Sequence, residues 1–109
     1  MATTYKVLGQ VNPSATTATT LYTVGSGKSA VVSTVTVTNQ AATAATFRVA
    51  VRPAGATLEA KHYVAYDAPL AANDLTAITI GITLAATDVI TVYASTANVS
   101  FNAFGSEIQ

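Results

Sequence analysis

The stretch Thr76-Ala77-Ile78-Thr79-Ile80-Gly81-Ile82-Thr83-Leu84-Ala85-Ala86-Thr87-Asp88-Val89-Ile90-Thr91-Val92-Tyr93-Ala94 decides the fold class. Ile78, Ile80, Ile82 and Leu84 fall on alternate residues, the spacing that gathers side chains on one face of a strand, with Thr79, Gly81 and Thr83 on the other. After Asp88 a second run alternates Ile90, Val92 and Ala94 with Val89, Thr91 and Tyr93. The link Ala85-Ala86-Thr87 is short and lacks Gly or Asn, which suits a loop around a type I turn better than a primed two-residue turn. The expectation is an antiparallel hairpin with one buried face and with Ile80 and Ile90 in the core.

Outward from this hairpin the same period recurs. Tyr5 to Val11 alternates weakly and stops at Asn12-Pro13-Ser14, a turn signal, so it reads as a first strand at an edge or against a neighbouring subunit. Leu21–Val24 is a short strand ended by Gly25-Ser26-Gly27-Lys28. Ala30–Asn39 is the longest, with Val31, Val35 and Val37 on one face and Val32, Thr34, Thr36 and Thr38 on the other. Phe47, Val49 and Val51 are expected inward, Arg48 and Arg52 outward, until Pro53-Ala54-Gly55 breaks the run. Leu58–His62 reads as a helical turn or wide loop, His62–Tyr66 as a strand, Asp67–Asp74 as a connector, and Val99–Phe104 as a last strand closed by Gly105. About eight short antiparallel strands with turn signals every 8–12 residues, and no sustained helical period, indicate an all-β chain. The expected architecture is a single β-sandwich, jelly-roll or immunoglobulin-like, spanning residues 1–109.

Composition narrows the function. A chain of 109 residues is long enough to bury roughly 65% of its unfolded surface. Charged residues are 9% of the total and formal net charge is zero, against about 25% charged in an average domain. Without a basic stripe, no nucleic-acid partner is expected. With 22 Ala and 19 Thr, hydroxyls supply much of the polar surface, and so weakly charged a domain tends to associate with itself. The chain has no Cys, hence neither disulfides nor thiolate metal sites. No window approaches 18 apolar residues, and residues 1–10 lack the features of a signal peptide, so no membrane partner is expected.

Few residues invite chemistry. Gly25-Ser26-Gly27-Lys28-Ser29 ends like a phosphate loop, but Tyr22 occupies the position of the first required Gly and a strand follows where a helix is needed. It reads as a glycine-rich turn. His62, Tyr63, Tyr66 and Asp67 form the one cluster of reactive types, with His62 and Tyr66 expected beside each other on one strand face. A single His cannot build a metal site without further ligands nearby, and the tyrosines suit contact surface. Arg48 and Arg52 serve either strand solubility or docking against carboxylates of a neighbouring subunit. Asp67, Asp74 and Asp88 sit where Asp caps turns, and no two of them pair for acid–base work. No catalytic, cofactor-binding or metal residues are therefore expected; the candidate interface residues are Arg48, Arg52, His62, Tyr63 and Tyr66.

Five segments carry a resemblance. Leu21–Lys28, Ala44–Val51, Lys61–Asp67, Gly81–Ile90 and Val99–Gly105 together resemble a family of small structural proteins of tailed bacteriophages, including cyanophages, of the decoration, neck or tail-accessory type. The likeness covers nearly the whole chain; Gly25 departs from it where Pro is expected. It implies a virion component without enzymatic activity or cofactor, assembled in the host bacterial cytoplasm. It also implies several copies, a trimer or hexamer, and other virion structural proteins as partners. The alternative is a module on a tail or fibre that recognises host-surface glycan.

Overall fold

The computed structural model describes residues 2–109 as nine strands and two single 3-10 turns. They are β1 (Thr3–Val11), β2 (Thr19–Thr23), β3 (Ser29–Asn39), β4 (Ala45–Arg52), β5 (Tyr63–Leu70), β6 (Leu75–Ile78), β7 (Ile82–Leu84), β8 (Val89–Ala94) and β9 (Val99–Ile108). The turns, Pro53–Gly55 and Ala60–His62, lie in the β4–β5 connection. All strand pairs are antiparallel.

One sheet runs β1-β9-β3 with β6 and β7 both against β3; the other runs β2-β8-β4-β5. Ile78 lies opposite Val35 and Ile82 opposite Val32, so β6 and β7 are two halves of one edge strand. Counted that way, the eight strands pair first with last, second with seventh, third with sixth and fourth with fifth. The pairs fall alternately into the two sheets. A long antiparallel hairpin rolled up in this manner is a jelly roll, which resolves the choice left open by the sequence.

The expected hairpin at residues 76–94 is therefore an arch. β7 pairs with β3 in one sheet and β8 with β2 and β4 in the other. Its four-residue turn is closed by Asp88 N–H to the Ala85 carbonyl at 3.2 Å and by Ala85 N–H to Asp88 Oδ2 at 2.8 Å. Val24 stitches the arch from outside, accepting from Thr87 N–H and donating to the Asp88 carbonyl, both at 3.0 Å. A short loop closes either kind of connection, and nothing in the alternation tells them apart.

Between the sheets lies the core: Val32, Val35, Val37, Phe101 and Ala103 from one, Leu21, Phe47, Val49, Ile90 and Val92 from the other. Phe47 and Phe101 meet edge to face across the gap, centroids 6.4 Å apart, the arrangement that ring quadrupoles favour. The buried amide of Asn39 is fully used. Its Nδ2 donates to the Thr43 and Ala71 carbonyls and its Oδ1 accepts from Ala41 N–H.

Bulges account for most departures from simple alternation, because one extra residue flips every later side chain. β3 shifts register against β9 between Val32 and Thr34, so Ala30 and Val32 point inward before the shift and Val35 and Val37 after it. Val31, expected inside, faces out. Ile80 is 62% exposed because Thr79–Gly81 leaves the edge strand, with Gly81 at φ 65°. Val51 is only half-buried. The last strand does not stop at Gly105 but runs to Ile108, and β5 continues through Pro69 to Leu70, shortening the expected connector to Ala71–Asp74.

Candidate functional site

The five residues expected at an interface take three different roles. On the outer face of the β2-β8-β4-β5 sheet, β4 sets Arg48 opposite Tyr93 of β8. Its guanidinium carbon lies 4.1 Å from the Tyr93 ring centroid and 4.2 Å from that of Tyr66 on β5, so the cation is held between two aromatic faces. Arg48 Nε donates to Asp67 Oδ1 at 2.7 Å and Nη2 to Oδ2 at 3.3 Å, a two-pronged carboxylate pair. Those bonds hold the guanidinium protonated above its ordinary range. Asp67 thus serves Arg48, not His62.

Tyr63 packs edge-on against Tyr66, centroids 4.9 Å apart. Three residues apart, they would point to opposite faces of a regular strand. β5 shifts register twice against β4, with Phe47 opposite Ala68, Val49 opposite Ala65 and Ala50 opposite Tyr63. The irregularities bring both rings to the outer face, and Asp67 takes a left-handed backbone (φ 48°) within the one nearer Leu70. Tyr66 remains 59% exposed. Beside the pair, Leu58, Glu59 and Ala60 complete a shallow depression of about 550 Å³.

Arg52 and His62 hold the protein's own loop. Arg52 donates to the Ala56 carbonyl at 2.7 Å, the Gly55 carbonyl at 3.0 Å and Thr91 Oγ1 at 3.1 Å. With Gly55 against Val89, these bonds fold the Pro53–His62 connection over outer-face residues that are buried despite their outward parity. Asp88 assists, its Oδ1 accepting from Ala54 N–H at 2.8 Å. His62 is 7% exposed and lies with Val51, Pro53, Ala56 and Val64, whereas the aromatic and cationic contacts of Tyr66 are Tyr63 and Arg48. Its Nδ1 accepts from Glu59 N–H at 3.0 Å, a local cap on the 3-10 turn.

The outer face of the other sheet has a different character. Thr34, Thr36 and Thr38 on β3 stand beside Phe104, Asn102 and Ser100 on β9, flanked by Val7 and Gln10 on β1 and Leu75 on β6. No Asp, Glu, Lys or Arg falls on this outward parity among the described residues. The nearby charges, Glu107 and Lys6, point to the inner side. There Glu107 Oε2 accepts from Tyr22 Oη at 2.6 Å, while its Oε1 meets Lys6 Nζ at 3.2 Å and Lys28 Nζ at 3.9 Å.

No family model, curated protein or solved structure matches this chain. The five segments quoted for the expected resemblance map to β2 and its turn, β4, the start of β5, the arch, and β9.

Sequence reasoning named Arg48, Tyr63 and Tyr66 as separate interface candidates and grouped the tyrosines with His62 and Asp67. It did not foresee that Arg48 joins Tyr66 and Asp67, and it missed Tyr93. Alternation in β8 marks Tyr93 as outward-facing, but its place opposite Arg48 follows only from the β4–β8 register. Among the described residues no group of three His, Cys, Asp or Glu lies close enough to hold a metal ion. What the arrangement offers is area: a rigid tyrosine–arginine ridge on one face and an uncharged hydroxyl-rich sheet on the other.

Proposed function

We propose that this chain is a non-catalytic structural component of a bacteriophage particle. It self-associates and adds to the capsid surface or to the neck and tail, with other virion proteins as its partners. The observation that carries the reading is the uncharged outer face of the β1-β9-β3-β6/β7 sheet. A face of threonines, small residues and scattered apolar side chains brings no charge that would have to be desolvated and paired when it meets another protein, and its hydroxyls can each donate and accept across the contact. The jelly-roll order supports the reading at the level of fold analogy, because viral capsid domains use it, as do lectins and cupins. Weak contacts of this kind gain strength when many copies act together on one particle.

Mass spectrometry of density-purified particles from the encoding phage tests this directly. Many copies per particle are expected; recovery only in the soluble fraction of infected cells would refute it.

A second reading has its own observation. Tyr63 and Tyr66 beside Glu59 could stack on a sugar ring and accept from its hydroxyls, making the depression a glycan site on a tail or fibre module. Binding on a glycan array that is lost in Tyr66→Ala would favour it, and no binding at high protein concentration would remove it.

A further inference from the structure

We infer that two copies of this chain join edge to edge through β1, continuing the β1-β9-β3-β6/β7 sheet across a two-fold axis. The inference deepens the self-association proposed above and rests on it in one respect, that copies of the chain meet each other.

A sandwich has four edge strands, each with an unpaired row of backbone donors and acceptors that must be defended or used. Three are defended here. β2 is five residues long and shifts register between Thr20 and Tyr22. β5 carries Pro69, two register shifts and the left-handed Asp67. The β6/β7 edge is broken at Thr79–Gly81. β1 has none of these protections over Thr3–Val7, which run in regular register against Ile108–Phe104.

Its side chains point to the same conclusion. Tyr5 is 85% exposed, the highest value of any large apolar residue described, and Val7 is 46% exposed. Both lie on the uncharged outer face, next to half-buried Phe104 and Ile108. The one charge on β1, Lys6, is drawn to the inner side by Glu107.

A second copy is the occupant because antiparallel edges related by a two-fold axis are self-complementary. With the pair centred on Tyr5, each Lys6 stands opposite the partner's Thr4 instead of its own like charge. The two Tyr5 rings then face each other at cross-strand distance, and zero net charge opposes neither approach. Such pairing gives even-numbered assemblies, a dimer or a hexamer of three dimers, and not a closed trimer.

The absence of Cys makes the test clean. Single cysteines at Thr3, Tyr5 and Val7, with Thr83→Cys on the opposite edge as comparison, are oxidised mildly and read on non-reducing gels. Alongside, light scattering after size-exclusion chromatography follows wild type and Tyr5→Lys. Tyr5 is so exposed that the variants should fold, which circular dichroism checks.

The expected result is a covalent dimer from one of the three β1 cysteines, peaking where the strand faces itself, and none from Thr83→Cys. Tyr5→Lys should weaken the wild-type association at least tenfold. Association that survives Tyr5→Lys, or cross-linking no faster on β1 than at Thr83, overturns the β1 assignment and leaves self-association standing. A wild-type chain that stays monomeric at millimolar concentration overturns both.

Discussion

Tyr22 Oη donates to Glu107 Oε2 at 2.6 Å and so ties β2 of one sheet to β9 of the other at the end of the sandwich. The bond perturbs both partners. The hydrogen bond from Tyr22, and after it that from Lys6, pulls the Glu107 carboxyl below its ordinary range. Burial, reinforced by the bond to Glu107, pushes the Tyr22 phenol above its own.

Two arms of pH dependence follow from that one bond. Glu107, with its folded value depressed, contributes stability that is present above the unfolded carboxylate pKa of about 4.3 and is lost as pH falls through the folded value. Tyr22, with its folded value raised, contributes stability present below about pH 10 and lost as pH rises beyond it. Tyr22→Phe should cost about 1.5–3 kcal/mol at pH 7, as for a hydrogen bond to a charged group, and should flatten the alkaline arm. Urea denaturation at stepped pH reads this; wild-type and variant curves that stay parallel from pH 3 to 11 would contradict it.

Ile80 and Ile90 looked equivalent in the alternating pattern, and the fold separates them. Ile90 is fully buried and faces the opposite sheet, whereas Ile80 stands in solvent where the edge strand breaks. Ile90→Ala should lose about 2–5 kcal/mol through transfer and cavity terms. Ile80→Asp should change stability by less than about 0.5 kcal/mol. Thermal melts of the two variants suffice, and a folding defect in Ile80→Asp would mean that the break at Gly81 is not present in solution.

That pair also shows what the sequence made legible. Period-two alternation located nearly every strand and most of the core, because a strand with one buried face must alternate. Register shifts stayed hidden, since a bulge changes no composition. The shift near Ser33 exchanged Val31 for Val32 inside, and those in β5 brought Tyr63 and Tyr66 to one face. Nor could local pattern show that Ala85–Asp88 crosses between sheets, because partner choice is decided by β3, dozens of residues away. The Arg48 cluster was half legible: its cation and one ring were marked, while Asp67 and Tyr93 needed the register.

Gly9 stands at the β1 register shift, where the strand passes over β2, and a Cβ there would run into the backbone carbonyl of Leu21. Two strands from different sheets can approach so closely only without a side chain between them. Gly9→Ala should therefore cost about 1–3 kcal/mol as backbone is forced apart. Gly25→Ala, whose Cβ would meet only the flexible Lys28 side chain, should stay within about 0.5 kcal/mol. Equal melting temperatures for the two variants would show that the sheets part more easily at Gly9 than this packing requires.

Arg52 and Arg48 lie on the same face four residues apart, yet replacing them should have unlike consequences. Arg52 closes the Pro53–His62 connection through two backbone carbonyls and Thr91, which lose these donors when it leaves. Arg52→Glu removes those donors and sets a carboxylate against carbonyl oxygens, so stability should fall by about 1.5–3 kcal/mol. Hydrogen exchange should quicken across residues 53–62 before the rest of the chain. Arg48→Glu instead loses a pair with a half-exposed carboxylate and a stack between two tyrosines, and gains repulsion with Asp67. The fold should remain intact and the change should register in tyrosine fluorescence. A global loss of structure in Arg48→Glu would assign the ridge to the framework of the sandwich and remove it from consideration as contact surface.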